Sequence, residues 1–514
     1  MAVKKLKQIH DQEILQLQNQ LQFFWEQRFL QQNSASSSPI SLRYDSNGSY
    51  TTRTKSYKKG CFELNCSSLN RVIEVDLERR VAIAEPRVSM EALIQATLPY
   101  GLTPAVIPEL KGITVGGAIV GMAAESASHR WGTFNDTCSA LEFLTANGNL
   151  MRVTPTENPD LFYGFAGSYG SLGALVLAEI KLIPANECVH LRYTIFPNPS
   201  QCVAALLLRS RAENAPDFLD GIILNKKLAV MIEGNLASKS SVSTNIPHFS
   251  TRPLNSQFYY QHVQQIAEGN SKGFFEEVMS HRDYYFRYDL GAFWIGAYIF
   301  HLPLLRGLIV EGILNWSSPK YDGFTESEVR RFHNIPDQNG IYRALFRPIT
   351  NCKNLCKMLH KSEKWVKSRF MIQDYCIPGN KAYSFLEQIL DDPGIYPMWL
   401  LPIKGTKSPQ IFAPHLLPDS DKEEKKASEK EENSHFINFG LYGIPNYSGP
   451  VEQITRKLEQ TIRLLGGKKV LYSHSYYSRE EFWEIYSHAS YKALREKTGA
   501  EGFWHDIVDK VLSI

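Results

Sequence analysis

The sequence predicts an α+β fold, on three observations. Between about residues 60 and 185, short runs rich in β-branched residues alternate with helical patterns. One Asn-Gly dipeptide, Asn147-Gly148, separates two of those runs, as in a tight β-hairpin. The stretch Ile113–Gly132, ITVGGAIVGMAAESASHRWG, breaks the rhythm with a succession of Gly, Ala and Ser that fills little core.

Taken in order, residues 10–32 place Ile14, Leu17, Leu21, Phe24 and Trp25 at helical spacing, which predicts an amphipathic helix packed on the body of the protein. Residues 33–50, rich in Ser and Asn, read as a polar linker. Val72–Asp76 reads as a strand, Leu77–Arg80 as a turn and Val81–Pro86 as a second strand. Ser89 caps a helix over MEALIQATLPYG, with Glu91 in the first turn where it meets the positive end of the helix dipole. Ala140–Leu144 is a strand, Ala146–Asn149 the hairpin turn and Leu150–Val153 the return strand. A short helix starts within Pro155–Phe162, Gly164–Gly173 is a second small-residue loop, and Ala174–Pro184 is a long apolar strand. Residues 186–400 mix strands such as LRYTIFP and LAVMIEG with aromatic-rich helices. The charge run DSDKEEKKASEKEEN at 419–433 reads as a solvated loop, His435–Pro445 as a strand, and Ser478–Glu496 as a helix with Glu480 and Glu481 at its start.

The chain has 514 residues, 43% hydrophobic and 21% charged, which suits a folded protein of about two to four lobes. A net charge of +3 is too small to point to nucleic acid as a partner. Its eight cysteines are scattered, and only Cys352 and Cys356 fall close together. No metal-ligand spacing occurs, so reduced thiols in a cytoplasmic protein and no metal are expected. The N-terminal MAVKKLKQIHDQ lacks a following apolar segment, so no signal peptide is expected there. Phe293–Trp316 is the most apolar window, but His301, Pro303, Arg306 and Glu311 interrupt it. It reads as a core helix or as an apolar surface against a lipid pocket or a membrane, giving at most a peripheral membrane contact.

The Gly-rich stretch contains no G-x-G-x-x-G and no G-x-x-x-x-G-K-[ST]. Small side chains and free backbone N–H groups there would let the chain approach something large and anionic. Residues 60–185, with this stretch at their centre, resemble the FAD-binding domain of the vanillyl-alcohol oxidase / p-cresol methylhydroxylase (PCMH-type) superfamily, which implies two α+β subdomains holding FAD. The blocks TVGGAIVGMAAESASHRWGTF, NGNLMRVTPTENPDLFYGFAGSYGSLGALVLAEIKLIPA, SHRDYYFRYDLGAFW, YPMWLLPI and YYSREEFWEIYSHASYKALREKTG resemble the Δ24-sterol reductase family, in order along nearly the whole chain. Eukaryotic members of that family typically begin with a transmembrane anchor, whereas this sequence is expected to start directly at the amphipathic helix.

The resemblance implies flavin contacts from Thr114, Val115, Gly116, Gly117, Gly121, Glu125, Ser126, Ser128, His129 and Gly132. His129 is either a flavin-side group or a satisfied loop histidine. Residues 166–173 (AGSYGSLG) would pass near the dinucleotide. Thr51–Gly60 would stand in the place of the first FAD loop, where Arg53, Lys55, Lys58 and Lys59 either neutralise phosphate or form a solvated basic turn. FAD is expected non-covalently, NADPH as electron donor and a sterol as substrate; the oligomeric state is open. Reduction of an isolated alkene needs a proton donor opposite the hydride source and an apolar cleft. The candidate donors are Tyr476, Tyr477 and Tyr284, with Tyr285, His281 and Asp283 nearby in sequence. Trp294, Trp399 and Trp483 either wall the cleft or fill core. Glu480 and Glu481 read as helix-dipole partners.

The expected organisation is an N-terminal helix and linker (1–44), a PCMH-type FAD domain (45–185), a mixed α/β substrate cap (186–470) and a C-terminal segment returning to the active site (471–514). Two other functions stay open on the same fold: a sugar-lactone or alcohol oxidase, and a non-catalytic flavin- or lipid-binding protein.

Overall fold

The computed structural model describes residues 2–30, 40–43, 51–53, 56–254, 256–301, 344, 347, 350–417, 434–447 and 449–512. The charge run at 419–433, most of the 33–50 stretch, Lys55 and residues 302–316 lie outside them.

The first helix, α1 (Ala2–Leu30), is longer than the apolar spacing indicates. Its stripe of Ile14, Leu17 and Leu21 is buried against Leu64, Leu144, Val176 and Trp504. His10 Nδ1 lies 2.8 Å from Glu85 Oε1, and Arg71 bonds both Glu13 and Glu85, so polar contacts fix the helix as well. Part of the stretch read as linker is a strand: β1 (Ile40–Arg43) pairs in parallel with β2 (Phe62–Asn65). The Ser- and Asn-rich flanks hide the four residues ISLR, which are short enough to escape a periodicity reading.

One sheet holds β3 (Val72–Asp76), β4 (Val81–Ala84), β5 (Leu102–Pro104), β6 (Cys138–Leu144), β7 (Leu150–Val153) and β8 (Ala174–Pro184). Its order among the described residues is β3-β4-β8-β6-β7, with β5 on β8, and every pairing is antiparallel. The Asn-Gly hairpin joins β6 to β7, with Gly148 at φ +82°. Before β5, α2 (Met90–Thr97) starts where predicted, with the Ser89 hydroxyl accepting from the Ala92 N–H. The Gly-rich stretch is partly helical: it forms α3 (Val115–Gly121) and α4 (Ser128–Trp131). The N-cap Thr114, whose Oγ1 accepts from Gly117 N–H, and the alanines overcome the low helix propensity of the glycines. A further helix, α5 (Pro159–Phe165), starts four residues later than the first Pro suggests.

The second sheet, of eight strands among the described residues, contains β9 (Cys188–Phe196), β10 (Phe218–Asn225), β11 (Leu228–Ala237), β12 (Phe274–Met279), β13 (Met371–Pro378), β14 (Met398–Lys404), β15 (His435–Gly443) and β16 (Lys468–Lys469). It is antiparallel throughout, in the order β12-β9-β11-β10-β14-β15-β13-β16. Side chains of a strand alternate between faces. Met398, Leu400, Phe439 and Leu441 face a core built with Leu206, Phe385, Leu386, Ile454 and Leu458 from the helices Pro199–Arg211, Ala382–Ile389 and Val451–Leu464. Trp399, Leu401, Asn438 and Tyr442 therefore look the other way, toward the first sheet.

The region read as one helix over 478–496 is two, Arg479–Ile485 and His488–Lys497. Ser487 caps the second by accepting from Ser490 N–H, which forces extended backbone between them. The chain after β16 packs on the first sheet's side: Thr52 N–H donates to Tyr472 O, Ile40 N–H to Phe503 O, and Arg495 Nη1 to Ser171 O. No helix among the described residues is long and apolar enough to cross a membrane.

Candidate functional site

A cavity of about 630 Å³ lies between the two sheets, within the range of roughly 300–1,000 Å³ typical of ligand sites. Its walls come from α3, Thr51–Arg53 with Tyr57 and Lys58, the 169–173 loop, the second sheet's inward face and Lys510 near the C-terminus.

One end is basic. Arg53 and Lys510 are both buried, each 7% exposed. Arg53 Nη1 donates to Lys510 O at 2.5 Å, and the guanidinium lies 4.3 Å from the centre of the Tyr169 ring. Lys510 Nζ donates to Gly170 O at 2.8 Å and Tyr169 O at 3.2 Å. Burial, then the positive charges of Arg53, Lys58 and Arg495, lower the Lys510 pKa to about 7. Neither side chain has a carboxylate within ion-pair distance among the described residues, and Arg53 Nε has no partner there. Two neighbouring buried cations in this state are costly unless an anion completes the site.

Of the ten residues expected to contact flavin, Thr114, Gly116, Gly117 and Gly121 line this cavity. The others do not. Val115 is fully buried in the core, and Gly132, at φ +76°, borders a separate cleft with Arg130 and Lys404. Glu125, Ser126, Ser128 and His129 lie buried beneath the surface. The backbone donors expected to be free at the start of α3 are engaged within the protein: Val115 N–H donates to Val88 O, Gly116 N–H to Pro86 O and Gly117 N–H to Thr114 Oγ1. The hydroxyls of Ser126 and Ser128 are likewise taken up by Glu125, through Oε2 and the backbone N–H respectively. What α3 presents to the cavity is therefore small surface. A Cβ on Gly121 would meet nothing closer than Tyr169 Cε1 at 3.9 Å, whereas one on Gly116 would lie 2.8 Å from Pro86 Cβ.

His129 sits 3.0 Å from Ser126 O and 2.9 Å from Pro216 O, tying α4 to the chain before β10. Burial is the main reason its pKa falls to about 4, so the neutral ring can donate to only one of those carbonyls at a time.

The other end is aromatic. Phe293, Trp399 and Tyr442 line it, with ring centres of Phe293 5.0 Å from Trp399 and 5.2 Å from Tyr442. Phe293 holds a left-handed backbone, φ +63°, which is strained for an aromatic residue and fixes its ring in place. Trp294 and Trp483 do not line the cavity: Trp294 is buried with Nε1 donating to Tyr442 O at 2.8 Å, and Trp483 packs on Phe482 and Tyr491. Glu63 borders the cavity from an exposed position, and two further carboxyl groups, Asp374 and Glu109, are buried in the wall. Asp374 accepts from Asn438 Nδ2 at 2.6 Å, Tyr472 OH at 2.7 Å and Tyr442 OH at 2.9 Å. Glu109 has no partner on Oε1 among the described residues, and burial with the nearby Glu125 charge holds its pKa well above the usual carboxylate range.

None of the three tyrosines expected to supply a proton lines the cavity. Tyr476 donates its N–H to Glu459 Oε1, which is paired at 3.0 Å with buried Lys469, and Tyr477 is buried beside it. Tyr284 is buried with its hydroxyl 3.0 Å from Ser126 Oγ. Asp283 is engaged by Ser280, Ser250 and Thr251, and His281 and Tyr285 lie off the cavity too. Glu481 caps its helix through Ser478 and pairs with Arg456. Sequence reasoning missed Glu109, Asp374 and Lys510. Glu109 stands only five residues before Thr114 and could have been found as an acid beside the Gly-rich stretch; the other two carry no local signal.

A family model described as FAD binding domain matches residues 33–154. The residues present fit that cofactor: Arg53 and Lys510 supply buried positive charge with no carboxylate at ion-pair distance among the described residues, beside an α3 surface kept open by glycine. The chain is 33% identical over 128 residues to decaprenylphosphoryl-beta-D-ribose oxidase of Mycolicibacterium smegmatis, covering 25% of this chain and 28% of that one. Similarity to the Delta(24)-sterol reductases is far more extensive. It reaches 28% identity over 484 residues with the Pisum sativum protein, covering 89% of this chain and 78% of the relative. With the Homo sapiens protein it is 30% over 455 residues, covering 86% of this chain and 76% of the relative. The chain belongs to the Delta(24)-sterol reductase family and carries that family's FAD-binding domain.

Proposed function

We propose that this protein reduces the side-chain double bond between carbons 24 and 25 of a sterol, with non-covalent FAD and with NADPH as electron donor. The observation that carries the reading is one continuous cavity joining the basic, glycine-bordered end to a mainly apolar aromatic end. In this reading Arg53 and Lys510 meet the cofactor's phosphates, and Thr114, Gly116, Gly117 and Gly121 border it. The FAD domain spans 45–185 and the substrate cap 186–470, with the segment after 470 closing the basic end.

An isolated trisubstituted alkene has no conjugated carbonyl to accept a hydride directly. Protonation at carbon 24 would leave positive charge on tertiary carbon 25, and bound FAD, once reduced by NADPH, would supply the hydride that quenches it. The chain's own part is to hold the alkene in an apolar cleft, exclude water and place π-faces near the developing charge. Phe293, Trp399 and Tyr442 are suited to that. A substrate this apolar reaches an enzyme from a bilayer surface, so the reading includes a peripheral membrane contact.

Purified protein is expected to be yellow, to lose its visible flavin bands when NADPH is added without oxygen, and to convert a desmosterol-like sterol to the saturated side chain. Flavin reoxidised rapidly by oxygen with a polar alcohol as substrate and no sterol reduction would favour an oxidase instead.

A further inference from the structure

The reaction needs a protonated group in the cavity wall, and Glu109 meets that requirement. It lies in the loop between β5 and α3, lines the cavity and is 4% exposed. Its Oε1 has no donor among the described residues, so an ionised carboxylate there would be buried with that oxygen unsatisfied. Burial first, and then the Glu125 charge, push its pKa well above the carboxylate range, against a weaker opposing pull from Arg287. Asp374 differs in its partners: burial raises its pKa as well, but phenol and amide donors converge on both its oxygens and pull the other way.

Glu125, whose charge acts on Glu109, begins a line of exchangeable groups. Glu125 Oε2 accepts from Ser126 Oγ at 2.9 Å, and Ser126 Oγ is 3.0 Å from Tyr284 OH. Burial lifts the Glu125 pKa to about 7, where a carboxyl both gives and takes a proton readily. The other titratable groups facing this pair are Arg287 and Asp220, bonded to each other at 2.9 Å, the phenol of Tyr285, and Tyr442 on the cavity side.

We propose that Glu109 donates its carboxyl proton to carbon 24 of the sterol alkene, and that Glu125, Ser126 and Tyr284 form the path that reprotonates it. This rests on the sterol-reductase reading above. The alkene π pair forms the new C–H bond as the Glu109 O–H bond breaks. Carbon 25 then takes the hydride whose electrons come from NADPH, and the Glu109 carboxylate regains a proton through Glu125. Each turnover thus consumes one NADPH and one proton. Glu109 is the donor; Glu125 is a positioning and relay residue.

The test is Glu109→Gln, purified with its flavin. Expected are a visible spectrum that NADPH still bleaches, sterol reduction lower by about 100-fold or more, and loss of a protonated-carboxyl infrared band that wild type shows at pH 7.5. Glu109→Asp, which keeps the acid, is expected to recover part of the rate; it serves also if the Gln variant does not fold. Glu125→Gln should shift the pH profile of turnover while leaving flavin content intact. Sterol reduction by Glu109→Gln within a few-fold of wild type, or loss of turnover in Asp374→Asn alone, overturns the proposal. Wild type that binds flavin and accepts NADPH electrons but reduces no sterol alkene overturns the underlying reading, and the assignment of Glu109 with it.

Discussion

Arg53 Nη1 donates a 2.5 Å hydrogen bond to the carbonyl oxygen of Lys510, so the chain brings together two buried cations from positions 457 residues apart. The bond consumes a backbone acceptor and neutralises no charge. Placing both cations beside a Gly-bordered cavity makes sense if an anion belongs there, and two predictions separate that account from a merely structural role.

The first concerns affinity. Lys510→Met removes a charge that costs energy in the empty site and stabilises the anion in the filled one. FAD binding is expected to weaken by about 1.5–3 kcal/mol, roughly 10- to 150-fold, while the flavin-free protein melts no lower than wild type. Flavin fluorescence titration and thermal unfolding of the flavin-free protein check this. Equal loss in both would assign Lys510 to the scaffold.

Proton linkage gives the second. In the flavin-free protein Lys510 titrates near pH 7, below its unfolded value of 10.5. Between those values the unfolded chain binds more protons, so this group makes flavin-free stability rise with pH across that window. An anion raises the folded pKa again, so FAD binding at pH 8 should take up protons. Calorimetry in buffers of different ionisation enthalpy measures the uptake, and Lys510→Met should abolish most of it.

Glu125 carries the opposite sign. Its folded pKa of about 7 exceeds the ordinary 4.5, so the native state binds more protons than the unfolded one between those values. Stability from this group is therefore lost as pH rises from about 4.5 to 7, by up to roughly 3 kcal/mol. Denaturation across that range should show the Glu125→Gln protein gaining on wild type as pH increases.

Two glycines of α3 should behave differently. Gly116→Ala puts a methyl 2.8 Å from Pro86 Cβ and 3.1 Å from its carbonyl oxygen, so it should destabilise by about 1–3 kcal/mol. Gly121→Ala finds room on the cavity side and suits a helix, so stability should hold or improve while FAD affinity falls. Melting temperature and flavin content together distinguish them.

The legible parts of this protein were the ones decided locally. Spacing of Ile14, Leu17 and Leu21 gave the buried stripe of α1, Asn147-Gly148 the β6–β7 hairpin, and Ser89 a helix start. The Gly-rich stretch was located, but its two helices were not, because a Thr114 cap outweighs glycine's poor propensity only in context. The inward face of β13, β14 and β15 was hidden for another reason. β14 is a nearly continuous apolar run and its neighbours show no clean polar alternation, so which residues look at the cavity is decided by helices that cover the opposite face. That is why Trp399 was one of three equivalent tryptophans and Asp374 carried no signal. Tyr476 and Tyr477 drew notice as an aromatic pair, yet Glu459 and the local core account for them. Glu109, five residues from the first expected flavin contact, escapes the sequence because the burial that leaves its Oε1 without a donor among the described residues is a tertiary property.

The central claim is that one cavity couples a flavin to a sterol alkene. Its most direct test is anaerobic: purified yellow protein is bleached with NADPH, then mixed with a sterol carrying the side-chain double bond, while the visible spectrum and the sterol are followed together. The account predicts return of the oxidised flavin bands in step with formation of the saturated side chain, one for one. Flavin that stays reduced with the sterol unchanged would contradict it.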